Sequence, residues 1–475
     1  MKRLFRSARF ATLVFAFLLI EAIAARAASM VDPTFNVGSG GDWYVEHMLE
    51  QPDGKILICG LLSKYNGTPM PYIGRLNADG SIDSSFHAQP NYWVRHMILL
   101  PDGKIVIGGM FTSVEGTARR LIARLNPDGS LDQMFDPGRG GEISIGTSIY
   151  GDPSPFIIWM DMQPDGKIVA IGNFHDWDGA ASPGIVRINP DGSRDASFNV
   201  GAGLNTWGRF VRVLDNGQII ASGWFTSYNN HDFNRLVRIN SDGSFDPSLN
   251  AFYGDKTSVY SVYVQPDGKL ITSGHSLNDQ KLFSREIVRL NGDGSVDPDW
   301  VGKTDDKTES IIPQPDGKIL LVGAFNFVDG VWKPSIARLN ADGTIDPTLH
   351  AVCDGGIWNL TQTRDKKLLV CGEFISIDGV AMNFLARLIL PENIEPPPPP
   401  LDPPQIATAR IQSGKFQCVL QSVTNGVYTL QFKDAIDAGA WTSLPDADGT
   451  GDSLTLEDDN ASGARFYRVQ ARQRL

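Results

Sequence analysis

Short apolar segments separated by polar turns recur along most of the chain. In the first copy, the segment ILICG follows the turn QPDGK, and the segment IGRL precedes the turn NADGS. Apolar runs of this length, bounded by Pro, Asp, Asn and Gly, are typical of β-strands, and no stretch has the three- and four-residue spacing of an amphipathic helix. The pattern therefore predicts an all-β chain built from hairpins.

One hairpin motif, RLNADGSID, begins at Arg75 and recurs as RLNPDGSLD, RINPDGSRD, RINSDGSFD, RLNGDGSVD and RLNADGTID. Its x-Asp-Gly centre suits a three-residue loop whose glycine takes the left-handed position of a G1 bulge. With that loop, the first arginine and the last aspartate face each other across the two strands, so an ion pair is expected in every copy. The pairs are Arg75 with Asp83, Arg124 with Asp132, Arg187 with Asp195, Arg238 with Asp246, Arg289 with Asp297, and Arg338 with Asp346.

A second hairpin motif, QPDGKILICG, begins at Gln51 and is found in seven related copies, the last of which reads TRDKKLLVCG. Every copy ends in glycine. A glycine inside a strand usually marks a bend or a close approach of two backbones, and we expect one of these at each copy. The seven glycines are Gly60, Gly109, Gly172, Gly223, Gly274, Gly323 and Gly372.

Four strands in roughly 50 residues, repeated seven times, predict a seven-bladed β-propeller rather than an open solenoid. The two ends of the repeat region are incomplete in a complementary way. The chain opens with the end of a unit around Asp32, and the seventh unit stops at the strand that contains Arg387. We therefore predict that the N-terminal strand closes the ring and that Asp32 faces Arg387.

The QPDGKI…G…ARLNxDGSxDxSF pattern resembles the delta-60 repeat family of bacterial β-propellers over residues 32–390. The resemblance implies a propeller fold. It implies no active site, because the family as a whole has no assigned biochemical function. The chain departs from the family pattern at residues 214–218, at residues 365–367 and in its shortened seventh unit.

Composition divides the chain into four parts. Residues 1–28 combine basic residues, a short apolar run and a small-residue cleavage site, which predict a secretory signal too short to span a bilayer. Residues 29–391 form the predicted propeller, and the prolines of residues 392–404 predict a stiff linker. Alternating segments in residues 405–475 predict a small β-sandwich. Its YTLQ and FYRV segments, with Trp441 between them, resemble the C-terminal β modules of exported bacterial proteins.

The chain of 475 residues has a formal net charge of −12. The predicted signal carries five basic residues and one acidic residue, so its removal takes the charge to about −16. Acidity of this size argues against nucleic acid or an anionic membrane as a partner. We predict a monomeric protein that is secreted, periplasmic or held at the cell surface, with no membrane span after signal cleavage.

No motif predicts a catalytic residue, a metal site or a cofactor. The oxygen-rich turn of residues 77–83 is too tight for calcium, and neither HExxH nor GxSxG occurs. Cys59 and Cys371 are interpreted as core residues, because packed sheets lie about 10 Å apart and a disulfide needs α-carbons within about 7 Å. The states of Cys353 and Cys418 stay open.

Aromatic and acidic residues recur where the chain enters each unit, a position that rings one mouth of the channel in a propeller. Aromatic rings stack on the apolar faces of sugars, and carboxylates accept hydrogen bonds from hydroxyl groups. The alternative is that the tryptophans wedge between blades as part of the core. The candidate binding residues are Trp43, Trp93, Trp207, Trp358, Asp42 and Asp354.

The predicted function is that of an exported binding or scaffold protein. Its propeller mouth would bind an extracellular polymer, such as a polysaccharide, or a protein partner. A hydrolase or lyase acting on extracellular polysaccharide is the alternative, because propellers host both kinds of function. A pocket with paired carboxylates would favour the enzyme. The insertion in residues 136–156 is interpreted either as a tolerated loop or as a cover on one side of the mouth.

Overall fold

The computed structural model describes residues 29–143, 154–232, 235–251, 258–277, 283–390, 406–422, 424, 426–434, 441–461 and 465–473. Regular structure in these residues is β throughout, which confirms the predicted class, and none of them belongs to a helix that could cross a membrane. The chain divides into one compact unit, Ser29–Ile394, and a second that contains Glu395–Leu475. The predicted signal, the predicted linker and residues 144–153 of the insertion lie outside the described residues.

Seven successive antiparallel units, each with three main strands, occupy the described part of Ser29–Ile394. The first strands are Val45–Glu50, Val94–Leu99, Phe156–Met162, Gly208–Val213, Ser258–Val264, Thr308–Pro313 and Ile357–Gln362. The second strands are Ile56–Gly60, Ile105–Gly109, Ile168–Asn173, Ile219–Gly223, Leu270–Leu277, Ile319–Gly323 and Leu368–Gly372. The third strands are Ile73–Leu76, Ile122–Leu125, Ile185–Ile188, Leu236–Ile239, Phe283–Leu290, Ile336–Leu339 and Leu385–Leu388.

The second strand lies between the other two and is buried on both faces. All five residues of Ile56–Gly60 are buried, as are all five of Ile105–Gly109. Burial on both faces removes the reason for polar residues to alternate with apolar ones, which is why these strands appear in the sequence as short continuous apolar runs.

Neighbouring units contact each other through their first strands. Each first strand contacts the first strand of the next unit, and the first strand of the seventh unit contacts that of the first. The two ends of the repeat region also meet, because Val31 forms an isolated bridge with Leu388. Met30, Val31 and Phe35 are buried in the same apolar cluster as Leu388.

A short hairpin lies between the second and third strands of most units. The first one turns at Asn66 and Gly67, which both have left-handed φ angles of 49° and 76°, as a type I′ turn requires. The described hairpins pair Lys64–Tyr65 with Thr68–Pro69, Ser113–Val114 with Thr117–Ala118, Asp176–Trp177 with Ala180–Ala181 and with Gly141–Glu142, Ser227–Tyr228 with His231–Asp232, Phe327–Val328 with Val331–Trp332, and Ser376–Ile377 with Val380–Ala381.

The fourth strand expected in each unit is reduced in most units to a single bridge, such as that between Leu76 and Ile82. In the first unit, the last aspartate of the motif closes a turn directly after this bridge. Asp83 Oδ1 accepts hydrogen bonds from the backbone N–H and the hydroxyl of Ser85 at 3.0 and 2.7 Å, and this turn directs the chain out of the sheet. Within the described residues, a full fourth strand, Val296–Thr304, forms in the fifth unit alone.

The arginine and the aspartate of each motif lie side by side. Asp83 Oδ2 accepts hydrogen bonds from Arg75 Nε at 2.7 Å and from Lys55 Nζ of the preceding turn at 2.9 Å. Arg75 Nη1 also donates to the Pro127 carbonyl of the next unit at 2.6 Å, so the pair links neighbouring units. The other Nε–Oδ2 distances are 2.7 Å for Arg124 and Asp132, 2.7 Å for Arg187 and Asp195, 2.8 Å for Arg238 and Asp246, 2.9 Å for Arg289 and Asp297, 2.8 Å for Arg338 and Asp346, and 2.7 Å for Arg387 and Asp32.

Acid is expected to destabilise the repeat region through these aspartates. Burial alone raises the pKa of Asp132, but hydrogen bonds from Lys104 and Arg124 outweigh it and lower the pKa to about 2. The pKa values of the other six aspartates are lowered as well. A pKa that is lower in the folded state contributes stability above the unfolded value of 3.8 and loses it as the pH falls below that value.

We therefore expect the melting temperature, followed by circular dichroism, to fall steeply below about pH 4. Replacement of Asp132 by asparagine removes one of the titrating groups and should make the fall less steep. The exposed Asp215→Asn variant serves as the control. If the melting temperature of Asp132→Asn fell as steeply with pH as that of the unmodified chain, this account would be contradicted.

Two three-stranded antiparallel sheets form the described part of the C-terminal unit. One contains Ile406–Gln412, Lys415–Gln421 and Ser453–Asp458, and the other contains Thr442–Asp448, Gly426–Lys433 and Phe466–Gln473. Side chains from both sheets share one buried apolar cluster. In this cluster the rings of Phe416 and Tyr467 stack with centroids 3.8 Å apart, and the Tyr467 hydroxyl donates to Asp458 Oδ2 at 2.9 Å.

Candidate functional site

The first strand of every unit contains a β-bulge at the same position. In the first unit Val45 pairs with Gly60 and His47 pairs with Cys59, so Glu46 is the extra residue. The register skips one residue at the same place in the other six units. The seven bulge residues are Glu46, Arg95, Ile158, Arg209, Tyr260, Glu309 and Trp358.

The glycine at the end of each predicted second strand makes room for the bulge. A Cβ on Gly60 would lie 2.2 Å from the Tyr44 carbonyl oxygen, and one on Gly109 would lie 2.1 Å from that of Trp93. No side chain fits at such distances, so the close backbone approach expected from the sequence occurs at this bulge. Bulges redirect a side chain out of the regular alternation, and here they redirect one residue from every unit.

All seven bulge residues line a single cavity of about 370 Å³. Several residues that follow the bulges, including Trp159, Ser261 and Asn359, line it too. This volume falls within the range of about 300 to 1,000 Å³ that is usual for small-molecule sites. The repeat therefore builds one shared site from seven equivalent positions with different side chains.

Two of the bulge residues, Glu46 and Glu309, carry the ion pairs of the cavity. Arg95 Nε donates to Glu46 Oε2 at 3.3 Å, and both Arg209 and Lys307 contact the Glu309 carboxylate. Burial raises the pKa of Glu46, and Arg95 offsets only part of that effect. Burial also acts to raise the pKa of Glu309, but the charges of Arg209 and Lys307 outweigh it, and the pKa is lowered. The cavity thus holds two carboxylates with opposite pKa shifts.

Aromatic rings hold the two arginines in place. The guanidinium carbon of Arg95 lies 4.4 Å from the ring centroid of Trp93 and 5.4 Å from that of Phe156. The guanidinium carbon of Arg209 lies 4.4 Å from the ring centroid of Tyr260. Cation–π contacts of this kind are attractive and restrict the cation to the ring face. One face of Trp93 is therefore occupied by a cation.

A stack of four rings adjoins the cavity. Ring centroids lie 4.3 Å apart for His47 and His96, 4.2 Å for His96 and Trp159, and 5.2 Å for Trp159 and Phe210. Burial lowers the pKa of His47 to about 4. The pKa of His96 is lowered by burial and further by the neighbouring His47 and Arg212. Both histidines are consequently neutral at physiological pH, and the stack forms an uncharged wall.

Two of the four predicted tryptophans line the cavity. Trp358 is the bulge residue of the seventh unit, and its Nε1 donates to Glu373 Oε1 at 3.2 Å. Trp93 also lines the cavity, two residues before the bulge residue Arg95. Trp43 is 50% exposed and Trp207 is half-buried, and neither residue lines the cavity.

The two aspartates predicted to bind a ligand accept hydrogen bonds from the backbone of the short hairpins. Asp42 Oδ1 accepts hydrogen bonds from the backbone N–H groups of Ser63 and Lys64, both at 2.8 Å. Asp354 binds the corresponding hairpin of the seventh unit in the same way, with both distances 2.9 Å. Neither carboxylate lines the cavity, and each has a structural role that explains its position.

The charged residues of the cavity were missed by the sequence reasoning, although a signal for them exists. Each bulge residue precedes its strand-terminal glycine by fourteen positions, as Glu46 precedes Gly60 and Trp358 precedes Gly372. The predicted tryptophans lie at several different distances from that glycine. An alignment of the seven copies on this glycine places the seven bulge residues in one column.

Within the described part of the chain, no three His, Cys, Asp or Glu side chains are grouped closely enough to hold a metal ion. All four cysteines are buried and unpaired, and they are Cys59, Cys353, Cys371 and Cys418. Burial raises the pKa of the Cys353 thiol to about 12 and that of Cys418 to about 11, which keeps both thiols protonated and unreactive. None of the four cysteines lines the cavity, whose lining offers ion pairs, aromatic rings and hydrogen bonds.

The chain matches no curated protein. Among solved structures it is similar to a streptogramin B lyase, with a TM-score of 0.43 and 14% identity over 76% of this chain and 97% of the other. For an endo-1,4-β-xylanase from Bacteroides thetaiotaomicron VPI-5482 the TM-score is 0.27, with 12% identity over 60% of this chain and 93% of the other. For an exo-β-1,3-galactanase from Phanerochaete chrysosporium the TM-score is 0.30, with 11% identity over 83% and 94%. Similarities this weak carry no argument about activity.

A family model described as a domain of unknown function (DUF5122) β-propeller matches six segments of the chain. They are residues 51–86, 100–135, 163–198, 214–249, 265–299 and 314–349. Each segment contains one QPDGK-type hairpin and the motif that follows it. The chain is thus an all-β protein of β-propeller repeats, six of which match a family whose function is unknown.

Proposed function

We propose that residues 29–391 form a seven-bladed β-propeller closed by its N-terminal segment. Support comes from the contacts of consecutive first strands, including those of the seventh and the first unit. The Asp32–Arg387 pair supports closure as well, because Arg387 also donates to the Ala78 carbonyl of the first unit at 2.7 Å. Arg75 makes the corresponding hydrogen bond to the Pro127 carbonyl of the second unit.

The remaining parts complete an exported, two-domain arrangement. Residues 1–28 act as a cleaved signal, residues 392–404 as a proline-rich linker, and residues 405–475 as a small β-sandwich. The buried cluster shared by the two C-terminal sheets supports the sandwich. The protein is then monomeric, secreted, periplasmic or held at the cell surface, and its net charge of −12 disfavours nucleic acid as a partner.

The cavity at the channel mouth binds an extracellular carbohydrate. The observation that carries this function is the convergence of all seven bulge residues on one cavity whose lining combines aromatic and charged side chains. The ring of Trp358 offers apolar surface, while the charged groups offer hydrogen bonds to hydroxyls. A cavity of about 370 Å³ suits a chain end or a short segment of a polymer.

The test is a glycan array followed by calorimetric titration of the mature chain with the glycans that bind. Trp358→Ala should weaken binding by roughly tenfold, because it removes an aromatic face from the cavity. The matched control is Trp43→Ala, which removes an exposed tryptophan outside the cavity and should leave affinity unchanged. Absence of any glycan binding would end the proposal, and a larger loss in Trp43→Ala would move the site to the outer surface.

A hydrolase or lyase is the second candidate, favoured by the opposite pKa shifts of Glu46 and Glu309. Two carboxylates whose environments separate their pKa values can serve as acid and base in one site. Release of reducing ends from a bound glycan, lost in Glu46→Gln, would favour this enzyme over simple binding.

A further inference from the structure

We infer that the cavity selects a sugar that carries a carboxylate, a uronic acid residue, and that Arg95 and Arg209 bind that carboxylate. The inference rests on the proposed function and specifies its ligand class. It is carried by the placement of these two guanidinium groups.

The charge of the cavity differs from that of the chain. The chain has a net charge of −12, yet Arg95, Arg209 and Lys307 all line the cavity. The lining carboxylates Glu46, Glu309 and Glu373 balance them, so the cavity is close to neutral. A ligand carboxylate therefore meets fixed cations without the repulsion that the rest of the surface would exert.

Arg95 is held in place while most of its donors remain available. Its Nε bonds to Glu46, and its guanidinium lies between the rings of Trp93 and Phe156. Its two terminal amino groups donate to no protein atom among the described residues, and 19% of its side chain is exposed. A planar fork that is already ordered and still has two free donors is suited to bidentate binding of a carboxylate.

Arg209 supplies a second group of donors. One terminal amino group contacts Glu309, which Lys307 contacts as well, and the guanidinium lies on the Tyr260 ring. Its Nε and its other terminal amino group donate to no protein atom in the described residues. Because Lys307 shares the Glu309 carboxylate, the positive charge around Glu309 exceeds the negative charge by one.

The surrounding rings and the acidic exterior narrow the ligand further. Trp358 and Trp159 line the same cavity and offer apolar surface to a sugar ring that carries the carboxylate. A long polyanion would extend beyond the cavity over the surrounding protein surface, and a chain of net charge −12 repels it. We therefore expect one uronic acid residue on an otherwise neutral glycan, rather than a polyuronate.

Calorimetric titration of the mature chain compares two oligosaccharides that are identical except that one carries a carboxylate where the other carries a hydroxymethyl group. The acidic oligosaccharide should bind at least roughly tenfold more tightly, the gain expected of charge-assisted hydrogen bonds. Arg95→Gln should bring the ratio of the acidic to the neutral affinity close to one. The control is Arg212→Gln, which changes a half-exposed arginine of the same strand as Arg209 outside the cavity and should preserve the preference.

A second variant is expected to change the preference for the acidic oligosaccharide in the opposite direction. Glu46→Gln removes the carboxylate that competes for Arg95 and should raise the ratio of the acidic to the neutral affinity severalfold. Melting temperatures within a few degrees of the unmodified chain establish that both variants are folded.

The outcomes separate the inference from the function on which it rests. Equal affinity for the acidic and neutral oligosaccharides overturns the inference and leaves carbohydrate binding in place. Failure of both to bind, in an array where no other glycan binds, overturns both. Equal or tighter binding of an amino acid or peptide carboxylate overturns the assignment to uronic acid.

Discussion

Replacement of Asp32 by alanine is expected to lower the free energy of unfolding of the repeat region by about 3 to 5 kcal/mol, the usual loss when one partner of a buried ion pair is removed. Asp32 is 1% exposed and accepts hydrogen bonds from Arg387 at 2.7 Å and from Lys367 at 3.0 Å. Its removal leaves the Arg387 guanidinium without a carboxylate, and it leaves Lys367 with the exposed Asp365 as its remaining acidic partner. It also removes both ion pairs that join the N-terminal segment to the seventh unit among the described residues.

The chain offers a matched control for this change. Asp365 contacts the same Lys367, also at 3.0 Å, but its side chain is 55% exposed. Exposed pairs contribute about 1 kcal/mol or less, so Asp365→Ala should have little effect. Urea unfolding followed by tryptophan fluorescence measures both changes, since nine of the ten tryptophans lie in the repeat region. Similar losses in the two variants would contradict closure of the ring by the N-terminal segment.

Replacement of Gly109 by alanine is expected to destabilise the repeat region by about 3 kcal/mol or more, at the upper end of the overpacking range. The new Cβ would lie 2.1 Å from the Trp93 carbonyl oxygen, which belongs to the backbone and cannot rotate away. Relief requires the first and second strands to separate at the bulge. Because that bulge directs Arg95 into the cavity, preference for the acidic oligosaccharide should be lost as well.

Gly302→Ala is the matched control, because Gly302 lies in a strand and a Cβ there would be 3.5 Å from its nearest neighbour, an ordinary contact. Calorimetric titration and urea unfolding of both variants separate a general effect of losing a glycine from an effect at the bulge. Retention of full stability in Gly109→Ala would show that the bulge does not depend on this glycine.

The sequence by itself determined those features whose cause lies within a few residues. The x-Asp-Gly centre specifies the loop of the hairpin that begins at Arg75, and the loop in turn brings Arg75 opposite Asp83, at 2.7 Å in the structure. The all-β class follows from apolar runs that are too short for helices. Even the pairing of Asp32 with Arg387, which are far apart in the sequence, could be predicted, because each residue is the unpaired remainder of a repeated motif.

Tertiary structure alone decided which side chains meet in the cavity. In a regular strand a shift of one residue moves a side chain to the other face, and the bulge introduces such a shift in every unit. Packing matters as well, because Trp93 and Trp207 both lie sixteen residues before the glycine of their unit, yet Trp93 lines the cavity and Trp207 does not. Arg95, Glu46 and Arg209 come from three separate units, and their proximity depends on how the units pack around the cavity. No local pattern of apolar and polar residues encodes that packing, so the charges of the site became visible only in the folded chain.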